Sequence, residues 1–126
     1  MIARKKVAIL ISGRGSNMAA LIDAAAQRDF PAEIVGVISD KPDAAGLGVA
    51  AARNIPVKAI ARRDFANKLA HDEAIDAALA SFGAEIVALA GYMRLLTDAF
   101  VQKWQGRMIN IHPALLPLFK GLDTHR

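Results

Sequence analysis

The sequence predicts an α/β fold with a doubly wound, mostly parallel sheet and helices on both faces. Short apolar runs alternate along the chain with alanine-rich stretches of helical length. The runs are apolar at successive positions, as expected for strands that helices cover on both sides. The length of 126 residues predicts a single domain over residues 1–126, and a hydrophobic content of 54% is ample for its core.

The first half of the chain predicts a strand, a helix, a strand and a helix. Residues 7–11 are an unbroken apolar run and predict a buried first strand. A glycine-rich turn separates them from residues 17–27, where alanine and leucine favour a helix. Residues 34–39 predict the second strand, and residues 44–53 predict the second helix in spite of two internal glycines. Strands joined through helices in this way are expected to lie parallel.

The middle of the chain predicts a short third strand, residues 57–60, and the longest helix, residues 65–82. Gly83 follows as a natural C-terminal stop. His71 lies within this helix and is expected at the surface. The apolar stripe of the helix is predicted to consist of Leu69, Ala70, Glu73, Ala74, Ala77 and Ala78, which have nearly helical spacing.

The last predicted elements are a strand over residues 86–90, a short helix over residues 97–104 and a strand over residues 108–111. Thr97 or Asp98 is the expected N-cap of the short helix. After the fifth strand and its loop the sequence ends without a further predicted element. The domain is therefore expected to be C-terminally incomplete.

Composition limits the classes of protein to consider. The net charge of +4 is modest, and basic residues cluster only at residues 4–6 and 62–63, without interleaved aromatic residues. This pattern disfavours nucleic-acid binding; a solvated basic surface and an anionic small substrate explain the charge equally well. No apolar run approaches the length of a membrane span, so no membrane partner is expected.

The chain contains no cysteine. Disulfides, thiolate catalysis and cysteine zinc sites are therefore excluded, and no metal is expected. A chain without disulfides suits a cytoplasmic location. The sequence does not give the oligomeric state, and a homodimer is left open.

A candidate phosphate loop, residues 12–17, separates the first strand from the first helix. Its glycines allow a sharp turn, and the helix that follows offers free N–H groups to an anion. Ser16 and Asn17 add side-chain donors and are candidate N-caps. Met18 replaces the third glycine of a dinucleotide motif, and Asp40 is the candidate for a ribose contact. A nucleotide-like monophosphate fits this loop better than NAD or ATP does, and the alternative is a tight structural turn.

A candidate catalytic pair follows the fifth predicted strand. Asn110 and His112 are two residues apart, so in an extended segment their side chains point to the same side. Pro113 keeps His112 extended. An amide donor beside a titratable ring can stabilise an oxyanion and move a proton. The alternative is an ordinary structural histidine.

Three segments taken together resemble phosphoribosylglycinamide formyltransferase: residues 10–17, 89–96 and 110–117. They read Leu-Ile-Ser-Gly-Arg-Gly-Ser-Asn, Leu-Ala-Gly-Tyr-Met-Arg-Leu-Leu and Asn-Ile-His-Pro-Ala-Leu-Leu-Pro. The resemblance implies a Rossmann-like formyltransferase fold. It also implies that 10-formyltetrahydrofolate, as co-substrate, gives its formyl group to the amine of glycinamide ribonucleotide in purine biosynthesis.

The resemblance also implies roles for individual residues. Gly15, Ser16 and Asn17 would bind the phosphate of the ribonucleotide. Asn110 would contact the formyl group at the folate site, and His112 would be the catalytic acid. The other folate-binding residues implied by the resemblance are Lys68, Met93, Arg94, Leu95 and Leu96.

One member of the expected catalytic set has no counterpart in the sequence. In the family that the chain resembles, the third catalytic residue is an aspartate in an Asp-Gly-Gly segment, which would fall beyond residue 126; Asp123 is not its equivalent. Two other functions are therefore considered. The chain could be a non-catalytic, phosphate-binding portion of such an enzyme, or a formyltetrahydrofolate hydrolase in which water replaces the amine.

Overall fold

The computed structural model describes residues 4–27 and 30–111, and in this part of the chain five strands form one sheet. The strand order is β3-β2-β1-β4-β5, and every neighbouring pair is parallel. The predicted α/β fold with a parallel sheet is thus confirmed. The strands are β1 (Lys5–Ile11), β2 (Ala32–Ser39), β3 (Val57–Ala59), β4 (Ile86–Leu89) and β5 (Met108–Asn110).

Helices cover both faces of this sheet. Alternate residues of the central strand β1 face opposite sides: Ile9 packs with the first two helices, whereas Leu10 packs with the last two. The described residues contain no helix with the length and apolar character needed to cross a membrane. The helices are α1 (Ser16–Ala25), α2 (Ala45–Ala52), α3 (Lys68–Phe82) and α4 (Asp98–Lys103), with a 3₁₀ turn at Arg62–Asp64.

Each predicted strand and helix has a counterpart, and the largest difference lies at the start of α3. The helix begins at Lys68 and not at residue 65. Asn67 is its N-cap: the side-chain Oδ1 accepts a hydrogen bond of 2.8 Å from the amide of Ala70. An asparagine cap satisfies an amide that the helix itself leaves free, which fixes the starting residue.

The predicted apolar stripe of α3 is wrong except at Ala78, and the predicted exposure of His71 is wrong. Leu69 is 48% exposed, whereas His71 is only 1% exposed. The helix is rotated relative to the prediction because its apolar residues Ile75 and Leu79 face the sheet. This rotation carries polar residues of the first turns inward. The buried residues of α3 are His71, Asp72, Ile75, Ala78 and Leu79.

Two helix ends agree with the prediction. Gly83 ends α3 in the left-handed conformation with φ 72°. Thr97 is the N-cap of α4, since its Oγ1 accepts a hydrogen bond of 3.3 Å from the amide of Phe100. Beyond α4, the buried Trp104 donates from Nε1 to an Asp76 carboxylate oxygen at 2.9 Å. This bond ties the end of α4 to α3.

One glycine is required by packing between the sheet and α3. The register between β1 and β2 shifts between Val7 and Ala8, so Ala8 lies opposite Gly36. A Cβ atom at Gly36 would lie 2.4 Å from the ring of Phe82, in the last turn of α3. The bare backbone at this position therefore allows the ring to pack directly on β2.

Candidate functional site

The candidate site lies at the carboxyl ends of the central strands. From β1 the chain passes to its neighbour β2 on one side, while β4 occupies the other side. Ligands of open α/β sheets bind in the crevice where the strand order switches in this way. Leu10 of β1 pairs with Leu89 of β4, which pairs with Asn110 of β5. The ends of these three strands therefore lie at one level.

The loop after β1 ends in a left-handed glycine. Gly15 has φ 72° and ψ 30° and occupies the N-cap position of α1. Ser16 and Asn17 lie inside the first turn, so the prediction that either is the N-cap is wrong. The reason is that the carbonyl of Gly15 already accepts the first helical hydrogen bond, 2.8 Å from the amide of Ala19. No side chain of the described residues caps α1, and its first amides are left for an anion.

The shape of this loop depends on a second helix. The amide of Gly46 in α2 donates to the carbonyl of Gly13 at 3.0 Å. A Cβ atom at Gly15 would lie 3.0 Å from the Cα atom of Gly46, and one at Gly46 would lie 2.5 Å from Cδ1 of Ile11. The loop after β1 and helix α2 therefore approach each other at positions without side chains. This close contact fixes the direction of the free amides of α1.

The segment after β4 crosses the crevice and is anchored by buried side chains. The amide of Met93 donates to Ser12 Oγ at 2.8 Å. Nε of Arg94 donates to Asp40 Oδ2 at 2.8 Å, and the Asp40 side chain is 1% exposed. Asp40 was the candidate for a ribose contact, but its carboxylate is buried and holds Arg94.

Two more anchors come from the first turns of α3. The amide of Thr97 donates to Asp72 Oδ2 at 2.7 Å. Nε2 of His71 lies 2.7 Å from the carbonyl oxygen of Ile60. Since a carbonyl only accepts, the ring nitrogen is the donor. Residues 60–65 and residues 93–97 are thereby held by neighbouring residues of one helix.

Large apolar side chains stand out from the anchored segment. Met93 is 77% exposed and Leu95 is 81% exposed, whereas Leu96 packs against the core between the sheet and α3 and α4. Exposed apolar side chains next to a cavity mark a binding surface. Met93 and Leu95 are therefore not core residues.

A cavity of about 480 Å³ lies beside this segment. It brings together four of the residues that the resemblance assigns to folate: Lys68, Met93, Arg94 and Leu95. Leu96, Asn110 and residues 15–17 are not among its lining residues, and all of these roles stay predictions. The full lining consists of Asp40, Lys41, Arg62, Lys68, His71, Asp72, Met93, Arg94 and Leu95.

The charges around the cavity favour an anionic group on a ligand. Lys41 and Lys68 are exposed at its edge, and Arg62 donates from Nη1 to the carbonyl of Phe65 at 3.2 Å. The charge of Arg94 is balanced by Asp40. A ligand with an apolar body and a carboxylate end matches such a surface.

Tyr92, next to Met93 in the chain, packs against the core with its hydroxyl buried. The described residues offer this hydroxyl no hydrogen-bond partner. Burial raises the pKa of Tyr92, the carboxylates of Asp40 and Asp72 raise it further, and Arg94 opposes them. The phenol therefore stays neutral at physiological pH.

The predicted catalytic pair is only partly covered by the structure. Asn110 is exposed at the end of β5, where strand alternation places it on the same side as Met108, which packs toward α3 and α4. His112 and Pro113 lie outside the described residues. Within residues 4–27 and 30–111, no group of three or more histidine, aspartate or glutamate side chains could hold a metal ion.

The sequence interpretation missed the anchors, although one signal pointed to two of them. Ser12 and Asp40 follow strands, as many loop residues do, and nothing local marks them as anchors. His71 and Asp72, however, precede Ile75 by four and three residues, and Ile75 precedes Leu79 by four, which is the spacing of neighbours on one helix face. Polar residues in line with a buried stripe need buried partners.

Comparison with known proteins gives consistent matches. The family model described as formyl transferase matches residues 5–126. Phosphoribosylglycinamide formyltransferase of Haemophilus influenzae is 46% identical over 122 residues, which cover 97% of this chain and 58% of that protein. The trifunctional purine biosynthetic protein adenosine-3 of Bos taurus is 49% identical over 97% of this chain and 12% of its own length.

A solved structure supports the same relationship. Phosphoribosylglycinamide formyltransferase from Brucella melitensis superimposes with a TM-score of 0.84 at 56% sequence identity. The match covers 97% of this chain and 64% of that chain. This chain thus spans less than two thirds of the length of each of these relatives.

Proposed function

Because this chain belongs to the formyl transferase family, we propose that it transfers the formyl group of 10-formyltetrahydrofolate to the amine of glycinamide ribonucleotide. Its Haemophilus and Brucella relatives are named phosphoribosylglycinamide formyltransferases, which supports the formyl transfer and its acceptor. The observation that carries the proposal is the placement of two different binding features at one edge of the sheet. The free N-terminus of α1 suits a phosphate, and the cavity beside residues 93–97 suits a larger, partly apolar co-substrate.

Glycinamide ribonucleotide is proposed to bind through its phosphate at α1. The amides of Gly15, Ser16 and Asn17 open the helix, and the helix dipole favours an anion there by roughly 0.3–1 kcal/mol. This dipole contribution orients the ligand, while the amide hydrogen bonds supply most of the affinity. The bare-backbone contact between Gly15 and Gly46 supports this proposal, since it keeps the amides directed outward.

The folate co-substrate is proposed to bind in the cavity. Met93 and Leu95 offer apolar contacts, the main chain of residues 93–96 offers hydrogen-bonding groups, and Lys68 lies at the edge for a carboxylate. Arg94 is fixed by Asp40 and shapes the cavity floor. Leu96 and Asn110 complete the proposed set, with Asn110 at the end of β5 reaching the formyl group.

The proposed reaction needs an oxyanion donor and a proton carrier. The amine nitrogen attacks the formyl carbon, a new C–N bond forms, and the bond between that carbon and N10 of the folate breaks. Asn110 stabilises the oxyanion, and His112 passes the proton lost by the amine to N10. Loss of one oxyanion donor costs about 10²–10³-fold in rate, and loss of an acid–base group about 10²–10⁴-fold.

The decisive experiment follows release of tetrahydrofolate from 10-formyltetrahydrofolate with and without glycinamide ribonucleotide. We expect release that depends on the ribonucleotide, with Asn110→Ala lowering kcat by about 10²-fold or more and His112→Asn lowering it further. Gln105→Ala, which removes an exposed amide that precedes the amino end of β5, is the matched control and should behave like the parent chain.

Other outcomes would replace the proposal with a specific alternative. Release without the ribonucleotide would identify a formyltetrahydrofolate hydrolase. Binding of the ribonucleotide without any release would identify a phosphate-binding portion that needs further residues for catalysis. A cytoplasmic location and a homodimer stay predictions; sedimentation equilibrium measures the second directly.

A further inference from the structure

We infer that His71 and Asp72 are positioning residues that hold the two walls of the cavity at a fixed separation and thereby set the affinity for the folate co-substrate. The first wall is residues 60–65 and the second wall is residues 93–97. The inference rests on the function proposed above, because it concerns the ligand of the same cavity. Neither residue was assigned a role by the sequence or by the resemblance.

His71 contacts the first wall from helix α3. Its side chain is 1% exposed, and its Nε2–H donates to the carbonyl of Ile60 at 2.7 Å. The ring of Phe65 lies 5.6 Å from the His71 ring, centroid to centroid. Arg62, which lines the cavity, bonds in turn to the carbonyl of Phe65. The imidazole thus contacts the wall at both of its ends.

Asp72 holds the second wall. Its side chain is 4% exposed, and Oδ2 accepts from the amide of Thr97 at 2.7 Å. Thr97 also caps α4 through its own hydroxyl. Because Thr97 lies only two residues after Leu95, which lines the cavity, its amide fixes where the second wall ends.

The two anchors act through one rigid support. His71 and Asp72 are successive residues of α3, a helix of 15 residues whose later turns are buried in the core. His71 Nδ1 lies 3.9 Å from Asp72 Oδ1, which is too long for a hydrogen bond. Each side chain therefore bonds to its own wall and not to its neighbour.

The test compares variants that lose each anchor with variants that keep it. His71→Leu and Asp72→Ala remove the donor and the acceptor, whereas His71→Gln and Asp72→Asn retain a donor and an acceptor. Glu73→Gln, on the exposed side of the same turn, is the control. Isothermal titration with tetrahydrofolate and, separately, with glycinamide ribonucleotide gives the affinity for each ligand, and hydrogen exchange reports the Thr97 amide.

We expect about tenfold weaker tetrahydrofolate binding for each loss variant, equivalent to about 1.4 kcal/mol, with unchanged affinity for the ribonucleotide. The conservative variants should stay within about twofold of the parent, given that one hydrogen bond is at issue. Asp72→Ala should also speed exchange at Thr97, while amides of α1 keep their rates. Should Asp72→Ala fail to fold, Asp72→Glu, which keeps the acceptor but displaces it by one methylene, should show the same selective loss.

Equal weakening for both ligands would overturn the inference, because it would indicate general destabilisation. Loss variants that bind tetrahydrofolate as the parent does would overturn it as well, while leaving the proposed function intact. A parent chain that binds no tetrahydrofolate at all would overturn the proposed function first and the role of the two walls with it.

Discussion

At the scale of single residues, the site depends on positions where a side chain is either absent or completely enclosed. The sharp turn at Gly15 is a local property and is predicted from the sequence, although the N-cap was assigned to Ser16 or Asn17. The need for a glycine at Gly46 arises from its contact with Ile11 and Gly13, which are more than 30 residues away in the chain. No local pattern marks such a contact, so the sequence predicts the helix over residues 44–53 but not its contact with the candidate phosphate loop.

Gly46→Ala should weaken binding of the ribonucleotide. The new Cβ would lie 2.5 Å from Ile11 Cδ1 and 3.0 Å from the carbonyl oxygen of Gly13, so α2 must move away from the loop. Overpacking of this kind costs about 1–3 kcal/mol, and we expect both a lower melting temperature and a weaker affinity by titration calorimetry. Gly48→Ala, with nothing within 4 Å, is the control and should stabilise α2 by up to about 1 kcal/mol. Similar affinities for both variants would contradict the supporting role of Gly46.

Tyr92→Phe should reduce the amount of folding stability that the chain loses at alkaline pH. Burial and the neighbouring carboxylates raise the pKa of Tyr92 in the folded chain. The folded state therefore holds this proton more tightly than the unfolded state does. The resulting stabilisation is complete below the unfolded pKa of about 10 and is lost as pH rises above it.

Denaturant unfolding of the parent and of Tyr92→Phe between about pH 8 and pH 11, on either side of the unfolded tyrosine pKa, measures this difference. The parent should lose more stability over that range, while at neutral pH the two should be nearly equal, since the described residues give the hydroxyl no partner. If the free energy of unfolding changed with pH equally in the two proteins, the phenol would not be enclosed as described.

At the scale of elements, the positions of the strands were predicted more accurately than the buried faces of the helices. Strands covered on both faces are apolar throughout, so their positions need no knowledge of what covers them. The orientation of α3 was mispredicted because alanine is frequent on every side of this helix. Its inward face is defined by Ile75 and Leu79, and this face also carries His71 and Asp72. The same error concealed both anchors.

Gly36→Ala should destabilise the contact between β2 and α3. The added Cβ would lie 2.4 Å from the Phe82 ring, and relief requires movement of the ring or of the helix end. We expect a loss of about 1–3 kcal/mol in the free energy of unfolding. In the double variant Gly36→Ala with Phe82→Leu, part of this loss should be recovered, with Phe82→Leu alone as the reference. Strictly additive effects would argue against a steric cause.

At the scale of the whole molecule, the parallel sheet could be predicted but its strand order could not. Parallel pairing follows from the alternation of strands and helices, which is visible in the sequence. The order β3-β2-β1-β4-β5 depends on the side to which each connection turns. It decides which loops meet, and so it places the ends of β1, β4 and β5 beside one another.

Hydrogen exchange should reflect this order. Ile9 and Leu10 are fully buried in β1, which is paired on both sides, whereas β3 is paired with β2 and its residues are partly exposed. We expect amides of β1 to exchange only through global unfolding and those of Val57–Ala59 through local opening. Exchange rates measured by NMR at increasing denaturant concentration distinguish global unfolding from local opening. Equal exchange rates for β1 and β3 would contradict the central position of β1 in the sheet.

The anchors of residues 93–97 have a consequence for the order in which a ribosome makes the chain. Ser12, Asp40 and Asp72 precede their partners by 81, 54 and 25 residues. Every anchor is therefore synthesised before the segment that it holds. As translation proceeds from the N-terminus, the emerging segment meets partners that have already been made, and the second wall is assembled by docking onto earlier elements.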